Sequence, residues 1–85
     1  MSTEDNVAAG IADNVAVIGL GYVGLTLATV MADAGFNVIG VEKRQELVEL
    51  TNAGKPHFTE PGLADAMQRA ISAGALAASQ TIDQS

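Results

Sequence analysis

A Gly-x-Gly-x-x-Gly turn, formed by Gly19, Gly21 and Gly24, constrains the fold of this chain more than any other feature. It follows a short β-branched run at residues 15–18, which is typical of a buried parallel strand, and it opens a segment with apolar residues at helical spacing. In this context the first glycine permits a tight turn, the second lets a pyrophosphate approach the backbone, and the third allows close helix packing. The pattern therefore predicts a strand–turn–helix unit with a phosphate site at the helix N-terminus.

One acid, Glu42, follows a second predicted strand at residues 37–41, roughly 20 residues beyond the turn, where a carboxylate accepts hydrogen bonds from an adenosine ribose. A carboxylate there also repels a 2′-phosphate, so Glu42 favours NAD over NADP as the cofactor. Lys43 and Arg44 leave two interpretations open: solvated charges beside the adenine, or a basic pair that holds a 2′-phosphate. Backbone amides in the first turn of a helix have no partner within the helix, so Tyr22 and Val23 are added to the predicted site. The predicted cofactor-binding residues are Gly19, Gly21, Tyr22, Val23, Gly24, Glu42, Lys43 and Arg44.

The rest of the chain alternates predicted helices and strands. Helices are predicted over residues 22–34 and 45–53, and a third is predicted to have Thr59 as its cap and Pro61 in its first turn. A third strand is predicted at residues 75–79. The order β-α-β-α-α-β predicts an α/β fold with a three-stranded parallel sheet. This is a partial Rossmann fold, one mononucleotide-binding half of a doubly wound domain.

Domain limits and core positions follow from the same pattern. Residues 1–13 are predicted to be a disordered lead, residues 14–80 the N-terminal part of a NAD-binding domain, and residues 81–85 a polar tail. An open sheet edge is expected to favour self-association. The predicted core stripe of the first helix is Val23, Leu27, Val30, Met31 and Ala34, and that of the third helix is Leu63, Met67, Ala70 and Ile71.

Charge and composition argue against several function classes. Ten acidic and four basic residues give a net charge of -6, which argues against nucleic acid or an anionic membrane as a partner. There is no cysteine and His57 is the only histidine, so neither a disulfide nor a metal site is expected. No run approaches the roughly 18 apolar residues of a membrane span, and the first residues lack the basic region of a signal peptide. A cytoplasmic protein is the expectation.

Two segments, GLGYVGLTLA and GKPHFTEPGLADAMQRAISAGALAAS, resemble the nucleotide-sugar dehydrogenases, the family of UDP-glucose, GDP-mannose and UDP-N-acetylmannosamine 6-dehydrogenases. The resemblance implies NAD-dependent, two-step oxidation of a sugar C6 alcohol to a carboxylate, through a thiohemiacetal on a cysteine. It assigns the turn at residues 19–24 to the pyrophosphate and Glu42 to the ribose. The resemblance implies that the parent protein is a homo-oligomeric enzyme acting on a nucleotide sugar, and that the family's catalytic cysteine lies far beyond residue 85. This chain alone is expected to hold no catalytic residue and to be inactive.

Departures from the family pattern bear on the substrate. Thr26 stands where the family mostly has Pro, and Glu42 replaces the commoner Asp while keeping its role. Leu47 stands where several UDP-glucose and GDP-mannose members have a Lys or Arg. His57 precedes the Glu-Pro pair, as in the UDP-N-acetylmannosamine type. The resemblance therefore favours UDP-N-acetyl-D-mannosamine as the parent's substrate, with UDP-glucose and GDP-mannose as alternatives.

Two other functions remain as alternatives. One is a non-enzymatic nucleotide-sensing Rossmann module, such as the regulatory domains of potassium transporters, and the extra helix within residues 55–74 argues against it. The other is a dehydrogenase of the hydroxyacyl or phosphogluconate type, against which the EPGL sequence counts. Within this segment His57 is interpreted as a loop residue. Glu60 is interpreted as a favourable charge at the N-terminus of the third helix, with a role near bound cofactor as its alternative.

Overall fold

The computed structural model describes residues 14–81, and the predicted lead at residues 1–13 and residues 82–85 of the predicted tail lie outside this range. The order of elements is the predicted β-α-β-α-α-β. The second strand has the predicted bounds, and the other elements differ by a few residues at their ends. The elements are β1 (Asn14–Ile18), α1 (Tyr22–Asp33), β2 (Asn37–Val41), α2 (Gln45–Asn52), α3 (Leu63–Ser72) and β3 (Leu76–Ser79).

The three strands form one parallel sheet in the order β1-β2-β3, as predicted, with β2 in the centre. Their last residues are in register, since Ile18 pairs with Val41 and Val41 pairs with Ser79. The main chain keeps this alignment beyond the strands, because the Gly19 amide donates to Val41 O at 2.7 Å and the Glu42 amide donates to Ser79 O at 2.9 Å. The glycine turn and the acid therefore leave the sheet side by side at its carboxyl edge.

The predicted core stripe of α1 is wrong except at Met31, which is partly buried and packs against the core. Val23 is 74% exposed, Leu27 49% and Val30 59%. Apolar residues surround almost the whole of α1, so periodicity alone could not select its inner face. Close packing selects it instead, because a Cβ on Gly24 would lie 2.9 Å from the carbonyl carbon of Gly19 and closer still to its oxygen. Ala28 and Ala32, one and two turns beyond Gly24, therefore face the sheet. The buried residues of α1 are Leu25, Ala28, Thr29 and Ala32.

The apolar stripe of α3 is as predicted, with three of its residues buried and Ile71 packed against the core. Its predicted start is wrong, since Thr59 does not cap it and Pro61 precedes it. Gly62 occupies the N-cap position at φ 80°, and the Leu63 amide donates to Glu60 O at 3.0 Å. Pro followed by Gly at positive φ is the signature of a type II turn, which delays the helix by two residues.

The core lies between the sheet and the helices. Its buried side chains include Val17 of β1, Val38 of β2 and Leu76 of β3, together with Met67 of α3. Ile18, which follows Val17 on the alternate side of β1, is 68% exposed. No helix among residues 14–81 is long and apolar enough to cross a membrane.

Candidate dinucleotide-binding site

The three glycines of the turn serve different physical purposes. Gly19 has φ 87°, a backbone conformation that glycine adopts at little cost, and Gly24 permits the close approach of α1 described above. Gly21 is different, because a Cβ built on it would meet no atom of residues 14–81 within 4 Å. Packing inside the protein does not require glycine at this position, and the space over its backbone is open to a ligand.

The N-terminus of α1 presents unpaired donors. Gly21 is its N-cap and accepts a hydrogen bond from the Leu25 amide at 2.9 Å. In the described part of the chain no side chain caps the helix, and its first turn holds no acid. Within residues 14–81 the amides of Gly21, Tyr22 and Val23 donate no hydrogen bond. Unpaired first-turn amides and the positive end of the helix dipole together suit an anion such as a diphosphate.

Glu42 is buried, with 6% of its surface exposed, and its carboxylate is directed at the glycine turn. Its Oε1 accepts the Leu20 amide at 2.9 Å, and its Oε2 accepts the backbone amide and Nε of Arg44 at 2.9 and 2.8 Å. The bond from the Arg44 side chain, then those from the Leu20 and Arg44 amides, lower the pKa of Glu42 to about 2, against an opposing effect of burial. The acid is therefore ionised at neutral pH and joined to the turn by a direct hydrogen bond.

The two basic residues beside Glu42 differ in their positions. The Arg44 guanidinium lies against Glu42, which raises the pKa of Arg44, although 58% of its side chain remains exposed. Lys43 is exposed, and its carbonyl oxygen accepts a hydrogen bond from Gln80 Nε2 at 2.7 Å. The structure thus brings Arg44 to the predicted site through an ion pair with the acid and leaves the Lys43 side chain at the surface.

Residues 13–85 match the sequence pattern of the UDP-glucose/GDP-mannose dehydrogenase family, NAD binding domain. The chain belongs to this family. The family match confirms the resemblance, and it establishes NAD as the cofactor of this domain.

Individual relatives agree with the family match. The domain is 43% identical over 67 residues to UDP-N-acetyl-D-mannosamine dehydrogenase of Escherichia coli K12, an alignment that covers 79% of the chain and 16% of that protein. It superposes on the UDP-N-acetyl-mannosamine dehydrogenase of Staphylococcus aureus with a TM-score of 0.79 and 33% identity, covering 85% of this chain and 18% of that one. For UDP-glucose dehydrogenase of Pyrobaculum islandicum the TM-score is 0.77 and the identity 40%, with coverages of 81% and 16%. These similarities confirm the Rossmann relationship, and the chain spans about one sixth of the length of the E. coli relative.

Sequence reasoning missed a group of residues that contact the turn from the loop between α2 and α3. His57 Nε2 lies 2.8 Å from Leu20 O, and the Tyr22 hydroxyl donates to Glu60 Oε1 at 3.0 Å. The Glu60 side chain makes no cap hydrogen bond to α3. It binds Tyr22, and this contact raises the pKa of the Tyr22 phenol. These pairs are far apart in sequence, and the signals for them were the alternative role of Glu60 near bound cofactor and the EPGL segment of the family resemblance.

Gly40 of β2 is a further residue that sequence reasoning missed. A Cβ on Gly40 would lie 2.7 Å from Leu20 Cδ2, so glycine here leaves room for the fully buried Leu20 side chain. Gly40 thereby allows Leu20, the residue between Gly19 and Gly21, to anchor the turn in the core. A glycine inside a predicted strand was the available signal, because it often marks a close approach of another group.

Proposed function

We propose that this chain is the NAD-binding part of a nucleotide-sugar 6-dehydrogenase. The parent enzyme would oxidise the C6 alcohol of a UDP-sugar, with UDP-N-acetyl-D-mannosamine as the favoured substrate, to the uronic acid with two NAD. The family match supports the enzyme class, and the names of the E. coli and S. aureus relatives support the choice of sugar. The P. islandicum relative keeps UDP-glucose as the second candidate.

Within this proposal the cofactor binds across the turn. The amides of Gly21, Tyr22 and Val23 hold the diphosphate, Gly19 and Gly24 shape the turn, and Glu42 accepts hydrogen bonds from the adenosine ribose. The observation that carries the proposal is that unpaired helix amides and an ionised, turn-directed carboxylate lie together at the carboxyl edge of the sheet. Ligands of open α/β sheets bind at that edge.

We propose that the Arg44 side chain leaves Glu42 when the ribose binds. A carboxylate offers about four acceptor positions, and Leu20 and Arg44 together occupy at least three of those on Glu42. Binding both ribose hydroxyls therefore requires the exposed Arg44 side chain to leave Glu42. Once released, the Arg44 guanidinium and the exposed Lys43 lie beside the adenosine as solvated charges.

NAD itself supplies the hydride-accepting nicotinamide. The part played by residues 14–81 is to bind and orient the adenosine diphosphate half of the cofactor. The 85-residue chain contains no cysteine, so the covalent step implied by the resemblance requires residues outside it. We expect the isolated chain to bind NAD weakly and to oxidise no sugar.

Calorimetric titration of the full chain with NAD and with NADP tests the cofactor site. Glu42→Gln removes the charge that the ribose hydroxyls bind and is expected to weaken NAD binding about tenfold or more, the range for a charged hydrogen bond. Glu46→Gln, at an exposed position on α2, is the matched control and should bind like the wild type. Tighter binding of NADP than NAD would contradict the role given to Glu42, and absence of NAD binding by the wild type would contradict the site as a whole.

The choice of sugar needs the longer parent protein. NADH formation would be followed with UDP-N-acetyl-D-mannosamine, UDP-glucose and GDP-mannose as separate substrates. The proposal expects the highest kcat/KM for UDP-N-acetyl-D-mannosamine. A higher value for UDP-glucose or GDP-mannose would refute the substrate assignment and leave the family assignment unchanged.

A further inference from the structure

The loop between α2 and α3 holds the glycine turn at two points. His57 Nε2 lies 2.8 Å from the main-chain oxygen of Leu20, and Glu60 Oε1 accepts the Tyr22 hydroxyl at 3.0 Å. We call the side chains of His57, Phe58 and Glu60 the clasp. One of its contacts falls on the main chain inside the turn and the other on the first residue of α1.

The peptide unit that the clasp holds is one that the proposed cofactor site uses. The Leu20 carbonyl and the Gly21 amide belong to the same planar trans peptide, so they point in opposite directions. Fixing Leu20 O towards His57 therefore fixes the Gly21 N–H away from His57. The Leu20 amide is held on its other side by Glu42 Oε1, and the Leu20 side chain is fully buried. Because the peptides on both sides of Leu20 are held, the direction of the Gly21 N–H is set before any ligand binds.

Aromatic packing positions the two side chains that make these contacts. The Phe58 ring lies 4.8 Å from the Tyr22 ring in a tilted arrangement and 4.9 Å from the His57 ring in an edge-to-face arrangement. Both distances fall within the preferred range for aromatic pairs, and the edge-to-face arrangement of His57 and Phe58 is a preferred geometry. Phe58 thus connects the hydrogen bond at Leu20 to the hydrogen bond at Glu60.

We infer that the clasp preorganises the diphosphate site, with His57 and Glu60 as positioning residues that act through the main chain of the turn. The inference rests on the proposed binding of NAD at this turn. Preorganised donors bind a ligand more tightly because the ordering cost has already been met in the free protein. A loop 35 or more residues away in sequence thereby determines how well the glycine motif binds a phosphate.

The experiment compares variants of the full chain by calorimetry with NAD and by NMR without it. His57→Ala removes the donor to Leu20, and His57→Gln restores a donor at a similar reach. Tyr22→Phe removes the hydroxyl that binds Glu60 and keeps the ring on Phe58. Thr59→Ala, a change at an exposed residue between Phe58 and Glu60 that makes none of the clasp contacts, is the matched control.

We expect His57→Ala to weaken NAD binding about fivefold to tenfold, His57→Gln to recover most of that loss, and Thr59→Ala to change nothing. Without NAD, the order parameter of the Gly21 amide should fall from near 0.85 in the wild type towards about 0.6 in His57→Ala. Wild-type affinity together with an unchanged order parameter in His57→Ala would overturn the inference. Equal losses in His57→Ala and His57→Gln would overturn it as well, because the effect would then come from general loss of packing.

The two proposals fail in different ways. If the wild type binds no NAD, the proposed function fails, and the order parameter still decides whether the clasp orients the turn. If His57→Ala does not fold, Tyr22→Phe tests the clasp instead, because this variant keeps the aromatic packing. Weaker NAD binding by this variant supports the clasp, and wild-type affinity overturns it.

Discussion

Neutralising Glu42 should change the dependence of stability on pH. The pKa of Glu42 is lowered in the folded chain from its ordinary value of 4.5 to about 2. A lowered pKa in the folded state stabilises the fold above the unfolded value, and the stabilisation is lost as the pH falls from 4.5 towards about 2. A shift of this size corresponds to at most about 3–4 kcal/mol. Because the Arg44 side chain is largely exposed, solvent screening reduces the expected contribution to about 1–2 kcal/mol.

Urea unfolding of the wild type and Glu42→Gln at a series of pH values between 7 and 2.5 measures this contribution. The difference in free energy of unfolding between the two should be largest near neutral pH and should shrink by about 1–2 kcal/mol as the pH approaches 2.5. Glu46→Gln controls for the loss of one exposed carboxylate. If the Glu42→Gln difference is the same at pH 3 and pH 7, the carboxylate is not stabilised by its contacts with Leu20 and Arg44, and the reasoning is refuted.

Three further predictions concern other contacts of the site and the sheet edge. Gly24→Ala forces α1 away from the Gly19 carbonyl and should destabilise the chain by about 1–3 kcal/mol or more; an unchanged melting temperature would contradict the packing argument. Arg44→Ala frees acceptor positions on Glu42 and should tighten NAD binding about twofold to fivefold in calorimetry, while weaker binding would show that Arg44 contacts the cofactor. We also propose that the chain self-associates through β1, an edge strand. Ile18→Lys should then reduce association in sedimentation velocity, and a wild type that stays monomeric at high concentration would disprove this.

The local part of the site could be predicted from sequence because each feature depends on neighbouring residues. The positive φ of Gly19, the start of α1 at Tyr22 and the emergence of Glu42 after β2 all follow from strand, glycine and helix signals within a short stretch. Because the strands are parallel, Glu42 and the turn lie at the same edge of the sheet, and the order of strands and helices was enough to predict this. The fold class followed from the same alternation of strands and helices.

The features that sequence reasoning missed depend on three-dimensional packing. The inner face of α1 is selected by the contact of Gly24 with Gly19, which periodicity does not record in a helix that is apolar on most sides. The start of α3 depends on a turn at Pro61 and Gly62, whereas the sequence pattern predicts a local cap at Thr59. The clasp joins residues far apart in the chain, and no single-sequence pattern pairs a histidine with a distant carbonyl.

Leu20 links these observations, because Glu42 and His57 hold the two polar groups of its main chain from opposite sides. A turn held in this way does not depend on its glycines alone for its shape. Its glycines permit the conformation, and two distant side chains select it. Since Glu42 stays ionised far below neutral pH, its bond to Leu20 persists throughout the range from about pH 6 to 8. The titration of Glu42 should therefore not affect NAD affinity in that range. If NAD affinity changes with a midpoint between about pH 6 and 8, another group must be responsible.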